Sequence, residues 1–345
     1  YIGNHMSFIT LSKENYFYNL EQIYSRVGSL DQIAVVLKDN SYGHGLIEIA
    51  RLAREFGISR AVVRSTDEAE KISRFFKYIL ILSPNKVVEN RNFYYGVNRL
   101  EDLERYSRNI NIELKVDTGM HRLGISPNEL HRAIHLIKVR KLRLSGIFTH
   151  FREADEISST LFVQRKIFRE LVDEVVSHFP NINIHSNNSA GLFRSGEKIR
   201  DEMVRIGIAS YGYLPDIPSF KFPKLRPVLS LWGEKIGELK YPKPYFRVGY
   251  GGVSEVGEDR KVSIYDIGYS DGFRRLPDSA IREKRFRTPE GNYLVGRVSM
   301  DSIALNSDRE KIEIFNSVTP LAKILGTIEY EILVGLSEKI ERRII

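Results

Sequence analysis

The chain has 345 residues, 42% of them hydrophobic and 28% charged, and no cysteine, which excludes a disulfide framework, a thiolate-bound metal and a cysteine nucleophile. Its 52 Lys and Arg against 44 Asp and Glu leave a net charge of +8, compatible with phosphates or anionic substrates without implying any. No apolar run exceeds five residues, as in Tyr78-Ile-Leu-Ile-Leu82, so no segment approaches the roughly twenty needed to span a bilayer. The opening Tyr-Ile-Gly-Asn-His-Met reads as a vector remnant rather than a signal peptide, and residues 1–5 are set aside.

From there the chain alternates helical and strand-like segments. Ser12 can cap a helix with the apolar stripe Tyr16, Leu20, Ile23 and Val27, closed by Gly28. A buried strand follows at Ile33–Leu37, then a helix carrying Ile49, Leu52, Ala53 and Phe56 that stops at Gly57. Ala61–Val63 reads as a strand, Thr66 opens a helix, and Tyr78–Leu82 is another strand. Ile110–Val116 is a strand, and Ser126-Pro-Asn-Glu129 offers an N-cap, an N1 proline and a capping-box Glu. Strand Leu142–Phe148, a helix from about Ser158 to Phe179, strand Ile182–His185 and strand Met203–Gly207 continue the rhythm.

Short apolar strands without polar alternation imply burial on both faces, as in a parallel sheet covered by helices. About eight β/α units in roughly 210 residues point to a (β/α)8 barrel of the TIM type, although an open doubly wound sheet reads similarly. Past Pro223 the texture changes. Pro227–Trp232, Val262–Ile267, Tyr293–Ser299 and Ile303–Leu305 are strand-like and separated by Gly, Pro and charged turns. The expected division is therefore a barrel over 6–222 and a mostly β C-terminal domain over 223–345, which strand-like residues 7–11 can join. The basic stretches Lys138–Arg143 and Arg282–Arg287 read as solvated turns, not as a nucleic-acid surface.

Polar clusters follow several of the strands. Lys38 stands at the carboxyl end of a buried strand, where barrel active sites form and where burial can free an amine as a nucleophile. In the following Tyr42-Gly43-His44-Gly45 the glycines permit close backbone approach to a ligand, and a hydroxyl beside them can donate to a phosphate. Asp117-Thr-Gly-Met-His-Arg122, Thr149-His150-Phe151, Asn188-Ser189 and Arg205-Ile-Gly207-Ile208 also follow strands. Ser189 precedes a short helix whose N-terminal N–H groups suit an anion. Singly each cluster has a structural reading; five at the ends of five strands point to a site.

Lys38-Asp-Asn-Ser-Tyr-Gly-His-Gly45 resembles the pyridoxal-phosphate lysine motif of the alanine racemase family. The resemblance runs in the family's order through Lys115–Met120, Thr149–Phe151 with Ala154-Asp155, Asn188–Ala190, Arg205–Gly207 with Tyr211-Gly212, Gly249–Gly251, Ile267–Gly272, Val295–Asp301 and Tyr330-Glu331. It spans almost the whole chain. It implies a cytoplasmic bacterial enzyme that interconverts L- and D-alanine with pyridoxal 5'-phosphate and supplies D-alanine for peptidoglycan. Lys38 and Tyr269 would be the two bases, Tyr269 being contributed by the other subunit of a homodimer.

The same resemblance gives Arg205 the cofactor's pyridine nitrogen, with His150 supporting it. It gives Tyr42, Asn188, Ser189, Gly207, Ile208 and Tyr330 the phosphate, and Arg122 the phenolate oxygen and a substrate contact. Met300 and Asp301 would bind substrate, and Lys115 matches a lysine that is carbamylated in some members. No metal, nucleic-acid or membrane partner is expected. Two departures stand out: Asp39 replaces the alanine usual after the lysine, and Lys339–Arg343 lacks a proline-containing arginine motif, at a place expected to be remote from the chemistry. Racemases for serine, lysine or mixed amino acids share nearly all these motifs and remain the alternative, with a non-catalytic pyridoxal-phosphate-binding protein behind them.

Overall fold

The computed structural model describes residues 7–194, 202–239, 246–256 and 261–345. The expected vector remnant lies outside them. Strand β1 (Phe8–Leu11) is followed by helix α1 (Lys13–Val27), whose Tyr16, Leu20, Ile23 and Val27 are buried at helical spacing. Gly28, at φ +87°, ends it by donating its N–H to the Tyr24 carbonyl at 2.7 Å.

Eight parallel strands then make a barrel: β2 (Ile33–Val36), β3 (Arg60–Val63), β4 (Tyr78–Ile81), β5 (Phe93–Val97), β6 (Asn111–Lys115), β7 (Arg143–Phe148), β8 (Asn183–His185) and β9 (Val204–Ile206). Their order is β8-β7-β6-β5-β4-β3-β2-β9. Met203 N–H donates to the Ile184 carbonyl and Arg205 N–H to that of Asn187, each at 3.0 Å, which joins the two ends. The (β/α)8 expectation holds for the strands. The helical layer is less regular, with α2 (Leu46–Phe56), α3 (Thr66–Ile72), α4 (Leu130–Arg140), α5 (Thr160–His178) and the short α6 (Ser189–Arg194). Residues 82–92 connect β4 to β5 without a helix; Pro84 interrupts a connection already short for a helical crossover. Strand β5 escapes the sequence reading because Tyr94, Tyr95 and Gly96 leave no aliphatic run.

The cap expected at Ser126-Pro-Asn-Glu129 forms, and one at Ser65 joins it. Glu129 accepts from both the backbone N–H and the hydroxyl of Ser126, at 3.2 and 2.7 Å. Ser65 and Glu68 make a reciprocal capping box at the start of α3.

The remaining strands are β10 (Leu229–Glu238), β11 (Phe246–Val248), β12 (Ser254–Val256), β13 (Ser263–Tyr265), β14 (Ile303–Leu305), β15 (Lys311–Phe315) and β16 (Glu341–Ile344), with short helices α7 (Asp278–Arg282), α8 (Thr319–Leu325) and α9 (Glu329–Val334). One sheet runs β14-β13-β10-β1-β16, with β15 also paired to β10. β1 is antiparallel to β10 and parallel to β16. The expected strand over Tyr293–Ser299 is replaced by single bridges at Tyr293 and Leu294, because Gly296 at φ +86° turns the chain out of the ladder.

Two compact units result. One comprises Asn15–Ser41 and Ile49–Arg226 and holds the barrel. The other comprises residues 7–14, Tyr42–Glu48 and Pro227–Ile345, so the segment Tyr42–Glu48 packs with the β strands. Among the described residues no helix is long and apolar enough to cross a membrane.

Candidate active site

Lys38 follows β2 directly, and the backbone after it is unusual. Asp39, Asn40, Ser41 and Tyr42 have φ values of +53°, +55°, +53° and +52°, a full turn in the left-handed region. Such conformations cost L-residues roughly 1–2 kcal/mol each, least for Asp and Asn, and persist only where surrounding contacts hold them. Glu68 supplies one restraint: its carboxylate accepts the Asp39 N–H at 2.7 Å while also capping α3. Asp39, the departure from the family motif, pairs with Arg64 at 3.1 Å.

Four cations of the barrel unit share one field. Burial first, then Arg122, Arg205 and Lys38, push the Lys115 ammonium down to about 8, against the weaker pull of Asp117. Burial and the same neighbours, with Lys115 added, push His150 down to about 3, so its imidazole is neutral. Lys38, Lys115, Arg122, His150 and Arg205, apart in sequence, are therefore near enough for their charges to act on one another, Lys38, Lys115 and His150 standing at the carboxyl ends of β2, β6 and β7 and Arg205 within β9. Arg122 itself lies in an exposed loop.

Arg205 is buried, at 6% exposure, and burial brings its guanidinium down to about 10, opposed by Tyr78 and Glu113. Its histidine partner is His185, not His150: Arg205 Nη1 lies 2.8 Å from His185 Nδ1. The sequence favours the histidine of the Thr149 motif, but the side chain from β9 reaches the end of β8. His185 Nε2 in turn meets Glu113 at 2.6 Å. The motifs single out neither residue, although a Glu between Ile112 and Leu114 in a buried strand is a charge that must find a partner.

The phosphate candidates divide between the units. Ser189, at the start of α6, receives the N–H groups of Gly207 and Ala209 at 3.3 Å each, which brackets Ile208. Asn188 is turned to capping, its side-chain oxygen accepting the Gly191 N–H at 2.8 Å. In the β unit the rings of Tyr42 and Tyr330 lie 5.7 Å apart.

Tyr42 is carried by a backbone that permits no side chain at position 43. A Cβ on Gly43 would stand 1.9 Å from the Leu333 carbonyl oxygen, and its φ is +79°. Arg342 donates to the Gly43 carbonyl through Nε at 3.3 Å and Nη2 at 2.9 Å. The atypical C-terminus, expected to be remote, thus holds the loop that bears a candidate ligand, a contact that only β16 pairing beside β1 creates.

Tyr269, Met300 and Asp301 also come together in the β unit. Tyr269 N–H donates to the Ser299 carbonyl at 3.1 Å and Ser270 N–H to that of Met300 at 3.0 Å. Ser270 also donates its hydroxyl to the Asp301 carboxylate at 3.1 Å. A Cβ at Gly268 would fall 2.1 Å from the Met300 oxygen, so the two turns approach this closely only through glycine.

A closed parallel barrel with basic side chains near the ends of its strands, in a chain with a second unit of β-sheet, defines the class: a two-part barrel enzyme. Comparison with known proteins narrows it. Residues 11–215 match the family model described as alanine racemase, N-terminal domain, and residues 231–344 that of the C-terminal domain. The chain belongs to the alanine racemase family, a family of isomerases. Curated relatives named alanine racemase include one from a Nitratiruptor species, 41% identical over 98% of this chain and 99% of its own length. Another, from Campylobacter curvus, is 40% identical over 99% and 100%. A solved alanine racemase from Clostridium difficile 630 superposes with a TM-score of 0.86 at 26% identity, covering 98% of this chain and 95% of that one. One from Bacillus anthracis with bound L-Ala-P gives 0.82 at 26%, with the same coverage.

Proposed function

We propose that the chain racemises alanine with pyridoxal 5'-phosphate, Lys38 and Tyr269 acting as the two bases. The observation that carries the reading is the gathering of Lys38, Lys115, Arg122 and Arg205 around a neutral His150. That excess of positive charge suits a group bearing a phosphate and a phenolate, and the Ser189 hydroxyl, which accepts the Gly207 and Ala209 N–H groups and keeps its own proton to donate, suits the phosphate. When bound, the cofactor supplies the electron sink that makes an amino acid α-proton removable.

The protein's own residues have the following roles. Lys38 holds the cofactor and moves the α-proton on one face of the substrate. Tyr269 moves it on the other, which inverts the centre. Arg205 donates to the ring nitrogen and, because a guanidinium keeps its protons, leaves that nitrogen unprotonated. Ser189, the backbone at Gly207 and Ile208, Asn188, Tyr42 and Tyr330 hold the phosphate. Arg122 meets the phenolate oxygen, and Met300 with Asp301 positions the substrate carboxylate. Lys115, with its ammonium lowered to about 8, has an accessible free-amine form of the kind carbamylation needs.

The reading includes a homodimer in which Tyr269 serves the partner's Lys38. It is supported by the 44% exposure of Tyr269, the 55% of Met300 beside it and the need for two opposed bases. It also includes a bacterial cytoplasmic setting, with D-alanine passing to peptidoglycan, and domain limits near residue 222. A panel of L- and D-amino acids, each assayed for racemisation by the purified chain, tests it. Alanine should turn over fastest in both directions. Faster turnover of serine or lysine would replace the substrate, and no turnover of any amino acid would refute the reading.

A further inference from the structure

Glu113, His185 and Arg205 form a buried line inside the barrel unit, and elementary donor counting fixes its protons. A guanidinium has five N–H donors and no acceptor. Arg205 Nη1 donates to His185 Nδ1 at 2.8 Å and to the His185 carbonyl at 2.9 Å. Nη2 donates to the Thr149 carbonyl at 2.6 Å and to that of Ser186 at 3.5 Å. These four bonds occupy the Nη donors, and Nε–H is the donor the guanidinium keeps for a ligand.

His185 Nδ1, facing a donor, must accept and therefore carries no proton. Nε2 holds the imidazole's one proton and donates it to Glu113 Oε2 at 2.6 Å. The other carboxylate oxygen, Oε1, accepts from Asn183 Nδ2 at 3.3 Å, and Asn183 accepts from Arg60 at 3.3 Å. Glu113 and His185 are both 0% exposed. The barrel wall is shaped around this carboxylate: a Cβ at Gly146, on the adjacent strand β7, would lie 2.7 Å from it. Removing one partner from a buried charged line is costly, whereas a complete line resists rotation of each member.

We propose that Glu113 is a positioning residue which, acting through the His185 imidazole, holds Arg205 in the one orientation that directs its Nε–H at an acceptor nitrogen of the bound ring. The inference rests on the cofactor reading above and extends it from Arg205 to two residues behind it. Without the carboxylate, the His185 Nε2–H loses its acceptor and the ring loses the contact that keeps it from turning. The guanidinium then loses a fixed acceptor and can turn toward the carbonyls alone.

Glu113→Leu keeps most of the volume while removing the acceptor of the His185 Nε2–H, and Glu113→Gln restores an uncharged acceptor in the same place. Chain freed of cofactor is titrated, by absorbance and fluorescence, with pyridoxal 5'-phosphate and with its analogue bearing carbon in place of the ring nitrogen. The unaltered chain should prefer the natural cofactor. In Glu113→Leu that preference should fall about tenfold, the scale of one charge-assisted hydrogen bond, with affinity for the analogue unchanged, and Glu113→Gln should recover most of it. Equal loss for both compounds would mean general damage and, like an unchanged preference, would overturn the proposal.

A second measurement leaves Glu113 in place. With 15N-labelled histidine, His185 in the unaltered chain should show an unprotonated Nδ1 and a protonated Nε2 at neutral pH, its signal assigned by its loss in His185→Gln. An imidazolium, or a proton on Nδ1, would overturn the line itself. If instead the tautomer is as stated but the unaltered chain binds both compounds equally, the reading of Arg205 fails and this inference with it.

Discussion

In the barrel unit Lys115 is 9% exposed, Arg205 6% and His185 0%, whereas in the β unit Met300 is 55% exposed, Tyr269 44% and Tyr330 38%. The first set is tuned by its own surroundings: Lys115 is lowered to about 8 and His150 to about 3 by burial and by neighbouring cations of the same unit. The second set is held by backbone, through turns in which glycine lets one chain segment touch another, and its side chains project toward solvent. A buried group can be made reactive by the fold that encloses it. An exposed tyrosine needs a further surface to desolvate and aim it, which is why the proposed function requires a second subunit.

The sharpest way to break this contrast is to remove one base from each unit. Lys38→Ala should reduce racemisation by roughly a hundred- to ten-thousand-fold in both directions and abolish borohydride fixation of the bound chromophore. Tyr269→Ala should lose racemisation on a similar scale yet still exchange the α-proton of D-alanine in deuterated water, read by NMR. Full racemisation by the tyrosine variant would end the two-base assignment.

A smaller effect tests whether the β unit's ligands depend on backbone approach. Gly43→Ala meets a carbonyl at 1.9 Å and a φ of +79°, and should cost about 2 kcal/mol or more in stability, seen as a lower Tm. A neutral outcome would mean that the Tyr42 loop is not clamped as described.

The last effect concerns pH and develops gradually, vanishing at neutrality. His150 has a folded value of about 3, against an ordinary histidine near 6.5. Between those values the unfolded chain binds the extra proton and the folded one does not, so stability is present above about pH 6.5 and declines as the pH falls toward 3. The Tm of the cofactor-free chain should follow that slope. His150→Gln should make it shallower, the buried His185, also lowered by desolvation, carrying part of the remainder, and Tyr269→Phe should leave it unchanged.

Much of the fold is readable without coordinates. Periodicity identifies α1 through Tyr16, Leu20, Ile23 and Val27, and seven of the eight barrel strands stand out as short apolar runs, because burial on both faces demands such composition. Strand β5 does not, since its Tyr94-Tyr95-Gly96 centre lacks the aliphatic run that announces the others. Tyr293–Ser299 fails for the opposite reason: its local propensity favours a strand, but a glycine at positive φ removes it from the ladder.

The site divides in the same way. Position at the ends of strands singles out Lys38, Ser189 and Arg205, and the family resemblance adds Tyr269. Neither shows that Arg205 leans on His185, that Glu113 stands behind it, or that Arg342 from the last strand holds Gly43. Local sequence determines most of the segments that become strands and which side-chain chemistry stands at their ends. The partners of a buried charge come from strands far apart in the chain, and only closure of the barrel and pairing of β16 with β1 bring them within hydrogen-bond reach.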